Sequence, residues 1–285
     1  MARVAVLGVG AMGSRMAMAL IRADHRVTVW NRSPEPVQAM VAMGAVAAQT
    51  PRHAATQSEF VISMVRDDEA SRRVWLHPTT GALAGCSDAI AIESSTLSLA
   101  WVKELSLACE KKKVRFIDAP VAGSRAQAEA AKLIYLVGGE PYALSLAEPI
   151  LRAMGTSVCH AGPVGSGAAV KLAVNALLAI QVAAIAELFG FLRGAGVDES
   201  LALEIISATP VCSQATKAAA AAMIAGNFAP AFPIELVEKD LSYLLLGAQQ
   251  AKPMLPLSHR AQRLFDEALR QGFGAENLSA VAKLY

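Results

Sequence analysis

The sequence predicts an α/β domain on a doubly wound, mostly parallel sheet, joined by a long helix to an all-α domain. Three observations predict this. An apolar run, Val4-Ala5-Val6-Leu7, leads into the glycine turn Gly8-Val9-Gly10-Ala11-Met12-Gly13 and then into a helical stretch, Ser14 to Ala23. Short β-branched runs then alternate with helical stretches as far as residue 160. Beyond Gly162-Pro163 strand signals vanish, and alanine- and leucine-rich helical periods take over.

Each element has its own warrant. Arg26-Val27-Thr28-Val29-Trp30 alternates and is β-branched, so it reads as the second strand. Further strands are expected at Phe60–Met64, Ala89–Ile92, Val114–Ile117, Leu133–Val137 and Ser157–Cys159. The break at Gly162-Pro163 divides the chain into domains 1–162 and 163–285. From Gly167 to Arg193 there is no proline, and Gly190 alone interrupts the run near its end, so one long interdomain helix is expected. Shorter helices are expected at Glu199–Ala208, Gln214–Ala225, Leu236–Gln250 and Leu257–Gln271.

A strand, a tight glycine turn and a helix in that order build a pyrophosphate cradle, so the first domain is a Rossmann domain that binds a dinucleotide. Gly8 permits the sharp turn, Gly10 has no Cβ to block the phosphates, and Gly13 lets the helix pack closely. Backbone N–H groups at the helix start face the anion. The second strand is followed by Asn31-Arg32-Ser33, where NAD-binding folds usually carry an acid for the ribose 2′-hydroxyl. A carboxylate there would repel a 2′-phosphate. Asn31 is neutral, and Arg32 offers a planar charged fork suited to phosphate, so NADP(H) is expected in preference to NAD(H).

Composition narrows the remaining classes. A chain of 285 residues with 54% hydrophobic content supplies a core for each of two domains. A net charge of +2 with both signs scattered gives no electrostatic case for nucleic acid or an anionic membrane. The cationic run Lys111-Lys112-Lys113 closes a predicted helix, where positive charge suits the dipole. Cys86, Cys109, Cys159 and Cys212 lie far apart without zinc-like spacing, so reduced, buried thiols in a cytoplasmic protein are expected, and no metal. The five histidines fall in no motif and read as structural or surface residues. Arg15 and the glycine pattern argue against a signal peptide. Lys171, Asn175, Gln181 and Glu187 punctuate the longest apolar candidate, so no membrane span is expected.

Four blocks together resemble the β-hydroxyacid dehydrogenases. They are the glycine turn continued as Gly13-Ser14-Arg15-Met16-Ala17, the segment Asp118-Ala119-Pro120-Val121-Ala122-Gly123-Ser124, the run Gly165 to Asn175, and Lys239-Asp240-Leu241. Asn31-Arg32-Ser33 and the segment from Gly123 to Gly139 look most similar to the glyoxylate and succinic semialdehyde reductases. The resemblance implies cofactor contacts at Met64, Val65, Thr96 and Lys239, substrate contacts at Phe232 and Asp240, and a cleft between the domains. It also implies that the block at 118–124 holds the substrate carboxylate through backbone N–H groups and a serine hydroxyl. Here Ala122 stands where that serine usually is, and Ser124 where many relatives have glycine. The N–H groups of Gly123 and Ser124 remain, and whether the Ser124 hydroxyl reaches is left open. Asp118 is expected to orient its own loop, and Asp67 and Thr96 also fit helix N-caps.

Lys171 and Asn175 stand one helical turn apart and share a face of an otherwise apolar helix. The residues alone fit either a catalytic ammonium or a lysine whose stem packs while its head reaches water. The resemblance assigns the catalytic lysine here, with Asn175 as its neutral neighbour. A protonated Lys171 would supply the proton that a carbonyl oxygen gains as hydride arrives at its carbon. The expected activity is NADPH-dependent reduction of short aldehyde acids such as succinic semialdehyde or glyoxylate, or the reverse oxidation. An imine or broader carbonyl reductase is the alternative, though such imine reductases usually replace the lysine. A dinucleotide-binding scaffold without catalysis is the third reading. The long apolar helix suggests a homodimer or homotetramer.

Overall fold

A computed structural model describes residues 1–251 and 254–285, leaving aside the side chains of 249–251. The chain divides into two compact units, Met1–Lys171 and Leu172–Tyr285. The first holds strands β1 (Arg3–Leu7), β2 (Arg26–Trp30), β3 (Val46–Ala47), β4 (Phe60–Ser63) and β5 (Ile90–Glu93). It continues with β6 (Arg115–Asp118), β7 (Val121–Ala122), β8 (Leu133–Gly139) and β9 (Gly155–Gly162). Among the described residues these form one sheet in the order β3-β2-β1-β4-β5-β6-β8-β7, with β9 paired to β8. Strands β1 to β6 are parallel, whereas β8 runs antiparallel to β6 and β7. This is the mostly parallel, doubly wound sheet the sequence predicts.

The helices are α1 (Gly13–Arg22), α2 (Pro34–Ala42), α3 (Pro51–Ala55), α4 (Asp68–Leu76), α5 (Leu99–Lys111) and α6 (Arg125–Glu129). They continue as α7 (Pro141–Arg152), α8 (Ser166–Gly194), α9 (Glu199–Ser207), α10 (Gln214–Ile224), α11 (Ile234–Ala251) and α12 (Pro256–Ala268). Alternation along β1 divides its side chains between the two faces of the sheet. Val4 and Val6 pack with Met16 and Leu20 of α1, Met40 of α2 and Leu151 of α7. Ala5 and Leu7 pack with Ala54 of α3, Trp75 of α4, Leu105 of α5 and Ala168 of α8. Each large apolar side chain buried this way contributes roughly 1.5–3 kcal/mol, and the double cover explains why β1 reads as a continuous apolar run.

In the second unit, Ala176, Ala179, Val182 and Ala186 of α8 pack against Val237 and Leu241 of α11 and Phe265 of α12. A Cβ on Gly190 would stand 3.1 Å from Tyr285 Cβ, so the small residue admits the C-terminal turn. The helix expected to reach Gln271 leaves α-geometry after Ala268, where a π-turn, Leu269–Phe273, contains Gly272 at φ +89°.

Further sequence expectations need correction. Cys159 is exposed and Cys86 and Cys212 are half-buried, so only Cys109 fits a buried thiol. Cys159 lies on β9, which pairs with β8 and has mostly exposed or half-buried residues. Helix α8 is long and apolar enough to cross a membrane by length and composition, because Lys171, Asn175, Gln181 and Glu187 are diluted over 29 residues. Half of its most apolar stretch is buried inside the protein, the ordinary state of a core helix.

The start of α8 is fixed by one carboxylate. Asp118 closes β6 with 1% of its surface exposed. Its Oδ1 accepts from Gly165 N at 2.7 Å and its Oδ2 from Ala168 N at 2.8 Å. Asp118 therefore acts well beyond its own loop, correcting the sequence expectation. Burial pushes its carboxyl pKa up, and the backbone donors oppose that shift. Two glycines make the approach possible. A Cβ at Gly167 would stand 2.3 Å from Leu136 O, and one at Gly138 would stand 2.5 Å from Asp118 Oδ1.

Replacing Asp118 by alanine strands both N–H groups in a buried place. Asp118→Ala is expected to lower the unfolding free energy by about 2–4 kcal/mol in urea denaturation. Asp118→Asn, which keeps one carbonyl acceptor, should lose less.

Candidate active site

The glycine turn has three distinct geometries. Gly8 sits at φ +93°, and a Cβ there would meet Met64 O at 2.4 Å. A Cβ at Gly13 would stand 1.9 Å from Gly8 O, so α1 begins directly against the turn. Gly10 is different: nothing lies within 4 Å of its Cβ position. Gly10 and Ala11 are exposed, Val9 is buried, and Met12 opens α1 without any capping side chain. Helices α3, α4, α5, α9 and α10 do have such caps, from Thr50, Asp67, Ser98, Asp198 and Ser213. Open space over Gly10 and a helix start with no acid in its first turn suit a pyrophosphate.

Asn31 follows β2 and ties this turn to the next loop. Its Oδ1 accepts from Val9 N at 3.2 Å, and its Nδ2 donates to Ser33 O at 3.0 Å. Arg32 and Ser33 between them are exposed.

The loops after β4 and β5 lie at the same carboxyl edge of the sheet. Met64, Val65 and Thr96 are half-buried. Ser95 Oγ accepts from Val65 N at 2.8 Å, joining the two loops. Asp67 caps α4 by accepting from Ala70 N at 2.8 Å. Ser98, and not Thr96, caps α5, and Asp68 in turn accepts from Ser98 N at 2.9 Å.

Beyond Asp118 the chain passes through β7, where Ala122 pairs with Ile134 and is half-buried. Gly123 at φ +124° and Ser124 are exposed. Gln127 Oε1 accepts from Ser124 N at 2.9 Å and also takes the Ser124 hydroxyl. That capping box at the start of α6 engages the hydroxyl whose reach toward a ligand the sequence leaves open.

Lys171 is half-buried on α8. Asn175, one turn further, is 6% exposed and donates from Nδ2 to Asp240 Oδ2 at 2.6 Å. Asp240 is 3% exposed, and Lys239 Nζ stands 2.8 Å from its other oxygen and 4.7 Å from the Tyr243 ring centre. Phe232 is half-buried, its N–H donating to Asn277 Oδ1 at 3.0 Å just before α11. Sequence reasoning missed Tyr243, the Asn175–Asp240 bond and the part played by Asn277, because each pairs residues remote in the chain or lies outside the recognised blocks. No cluster of metal-binding side chains occurs among the described residues.

Comparison with known proteins decides the family. The family model for the NAD-binding domain of 6-phosphogluconate dehydrogenase matches residues 3–162. The one described as NAD-binding of NADP-dependent 3-hydroxyisobutyrate dehydrogenase matches residues 165–285. Glyoxylate/succinic semialdehyde reductase 2, chloroplastic, of Arabidopsis thaliana is 31% identical over 98% of this chain and 78% of its own. NAD-dependent L-serine dehydrogenase of Pseudomonas aeruginosa is 30% identical over 100% of this chain and 98% of its own. A structure of Mycobacterium tuberculosis 3-hydroxyisobutyrate dehydrogenase with L-serine superposes with a TM-score of 0.91 at 28% identity, covering 100% of this chain and 99% of that one. The chain belongs to the β-hydroxyacid dehydrogenase family.

This dehydrogenase is therefore an NAD(P)-dependent oxidoreductase acting between hydroxyl and carbonyl groups on a small molecule. The open space above Gly10 leaves room for a dinucleotide phosphate. Gly10→Ala puts a methyl group into that space without touching protein atoms. The thermal midpoint is expected to stay within about 2 °C of the parent, since an unstrained Gly→Ala change is neutral or mildly stabilising. Titration with NAD(P)H should show at least about tenfold weaker binding, a cost of about 1.4 kcal/mol.

Proposed function

We propose that this dehydrogenase reduces short aldehyde acids with NADPH, or oxidises the matching hydroxy acids, using Lys171 as general acid and base. The observation that carries the reading is Lys171 placed one turn from Asn175, whose amide is held by buried Asp240. A neutral amide held this firmly can orient an ammonium or a substrate oxygen without adding charge. When bound, the nicotinamide supplies a hydride to the carbonyl carbon. Lys171 Nζ gives a proton to the carbonyl oxygen and stabilises the charge developing there, and takes the proton back in the oxidative direction. Gly8 to Gly13 hold the pyrophosphate, Arg32 the 2′-phosphate, and Met64, Val65 and Thr96 the nicotinamide half; Lys239 is assigned to the cofactor by the family resemblance.

For the substrate, Gly123 offers a backbone N–H group to a carboxylate, while the Ser124 N–H is already engaged by Gln127; Phe232 and Asp240 are substrate contacts by the family resemblance. Ala122 has no hydroxyl, and the Ser124 hydroxyl is engaged by Gln127. That shortage of side-chain donors favours a second reading, a reductase of less polar carbonyl compounds or imines. Turnover assays with succinic semialdehyde, glyoxylate, L-serine, uncharged aldehydes and cyclic imines separate the two. A preference for uncharged substrates would overturn the first.

The enzyme is proposed to work in the cytoplasm as a homodimer or homotetramer. Val170, Val174, Leu177, Leu188 and Phe191 leave an apolar stripe along α8 exposed, with Phe191 69% accessible.

Arg32→Ala is expected to weaken NADPH binding by about 1.5–3 kcal/mol, as for hydrogen bonds to a charged group. NADH binding should hardly change in the same titration, and an equal loss for both cofactors would refute the assignment. Lys171→Ala should cut turnover by about 10²–10⁴-fold, the usual worth of general acid catalysis. Its affinity for NADPH should stay near that of the parent, and a loss of rate below tenfold would remove Lys171 from this role.

A further inference from the structure

Strand β5 ends in Glu93, which is 0% exposed and stands in register between Ser63 of β4 and Asp118 of β6. A carboxylate this deep is unfavourable unless its oxygens are satisfied. Glu93 Oε2 accepts from Ser71 Oγ at 2.6 Å and Trp75 Nε1 at 2.9 Å, both on α4. Its Oε1 accepts from Ser95 N at 2.9 Å, in the loop after β5. Ser95 Oγ accepts from Val65 N at 2.8 Å, in the loop after β4. Glu93 thus joins α4 to the loop after β5, and Ser95 carries the link on to the loop after β4.

The bonding pattern is selective. Burial pushes the Glu93 carboxyl pKa up, and its hydrogen-bond donors oppose the shift. An apolar side chain of like volume would fill the same core, since buried ionic groups often add little to stability. What an apolar residue cannot do is fix the direction of the Ser95 N–H and, through Ser95, the Val65 backbone. Met64 and Val65 precede α4, and Thr96 follows Ser95 directly.

We propose that Glu93 is a positioning residue that sets the loops carrying Met64, Val65 and Thr96, and through them the nicotinamide half of the dinucleotide. It does so without touching the cofactor. This rests on the proposed contacts of those loops. The adenine half, held by the glycine turn and Arg32 in that reading, does not depend on it.

The variant Glu93→Gln keeps size and one acceptor. Its amide N–H₂ would face the Trp75 indole N–H, which cannot accept. Affinities are measured for whichever of NADPH and NADH binds more tightly, and for the matching fragment, 2′-phospho-ADP-ribose or ADP-ribose. Thermal midpoint, kcat and KM are read alongside. Intact cofactor should bind at least about fivefold more weakly and kcat should fall by about ten- to a hundredfold, as misplacement of a reacting group costs. Fragment affinity should stay within twofold. Ser95→Ala, which cuts the link to Val65 but leaves the carboxylate paired with α4, should reproduce the pattern at smaller size and covers the case of a poorly folding Glu93 variant.

Equal losses for cofactor and fragment, or a lowered thermal midpoint with unchanged binding and kcat, would overturn the proposal and leave a purely structural staple. Thr96→Val separates this failure from that of the underlying reading. If it weakens intact cofactor while Glu93→Gln does not, the loops meet the cofactor and Glu93 does not position them. If Thr96→Val also leaves cofactor binding unchanged, the assigned loop contacts fail as well.

Discussion

Asp118 accepts two short hydrogen bonds at the first turn of α8, from Gly165 N and Ala168 N, and these anchor the start of that helix to the end of β6. The helix start carries partial positive charge, and a buried carboxylate is its natural complement. The same burial that raises the acid's pKa strengthens its bonds to the two N–H groups. Gly138 and Gly167 clear the space, because a side chain at either position would collide with backbone or with the carboxylate itself. Lys171 lies three residues past Ala168, about 4.5 Å along the axis at 1.5 Å per residue. Its height above the carboxyl edge of the sheet is thus set by an acid that belongs to β6.

The same device recurs. Ser63, Glu93 and Asp118 are the last residues of three neighbouring strands and stand in one register row. Two of them are buried acids, each satisfied by donors from the segments that leave the sheet. In the helical unit, buried Asp240 takes the amide of Asn175 and lies against Lys239. Three carboxylates therefore fix the backbone or side chains assigned to chemistry, while staying within the protein themselves. A buried acid is a costly way to build a core. It becomes economical where direction matters more than stability, since a hydrogen bond fixes an angle that apolar packing leaves loose.

Much of this fold was legible because its signals are local. The strand–glycine turn–helix opening, the β-branched runs and the long proline-free helix each specify themselves from contiguous residues. Elements too short for periodicity escaped, as with the two-residue strands Val46–Ala47 and Val121–Ala122 and the five-residue helix Pro51–Ala55. The acids escaped for a different reason. Nothing in Glu93-Ser94-Ser95 announces that the acid reaches Ser71 and Trp75, and Asp118 finds its partners far along the chain. The Ser124–Gln127 capping box was readable, because serine followed three residues later by glutamine is a helix-start pattern. Exposure of Cys159 follows the mostly uncovered residues of β9, which short-range pattern does not show.

Asn31 shows how a local backbone requirement and a ligand preference can share one side chain. Its oxygen accepts from Val9 N in the glycine turn, a bond that an aspartate could also make. Its nitrogen donates to Ser33 O, and there an aspartate would set a second negative oxygen against a carbonyl. The loop that carries Arg32 is thus closed by a donor, and a donor at this position is necessarily without negative charge. The proposed preference for a 2′-phosphate accordingly has two parts with separate origins. Arg32 supplies attraction from an exposed guanidinium, which salt screens and mutation removes. The absence of repulsion is built into the turn itself, because the amide that keeps the loop closed is also the group that leaves the phosphate unopposed.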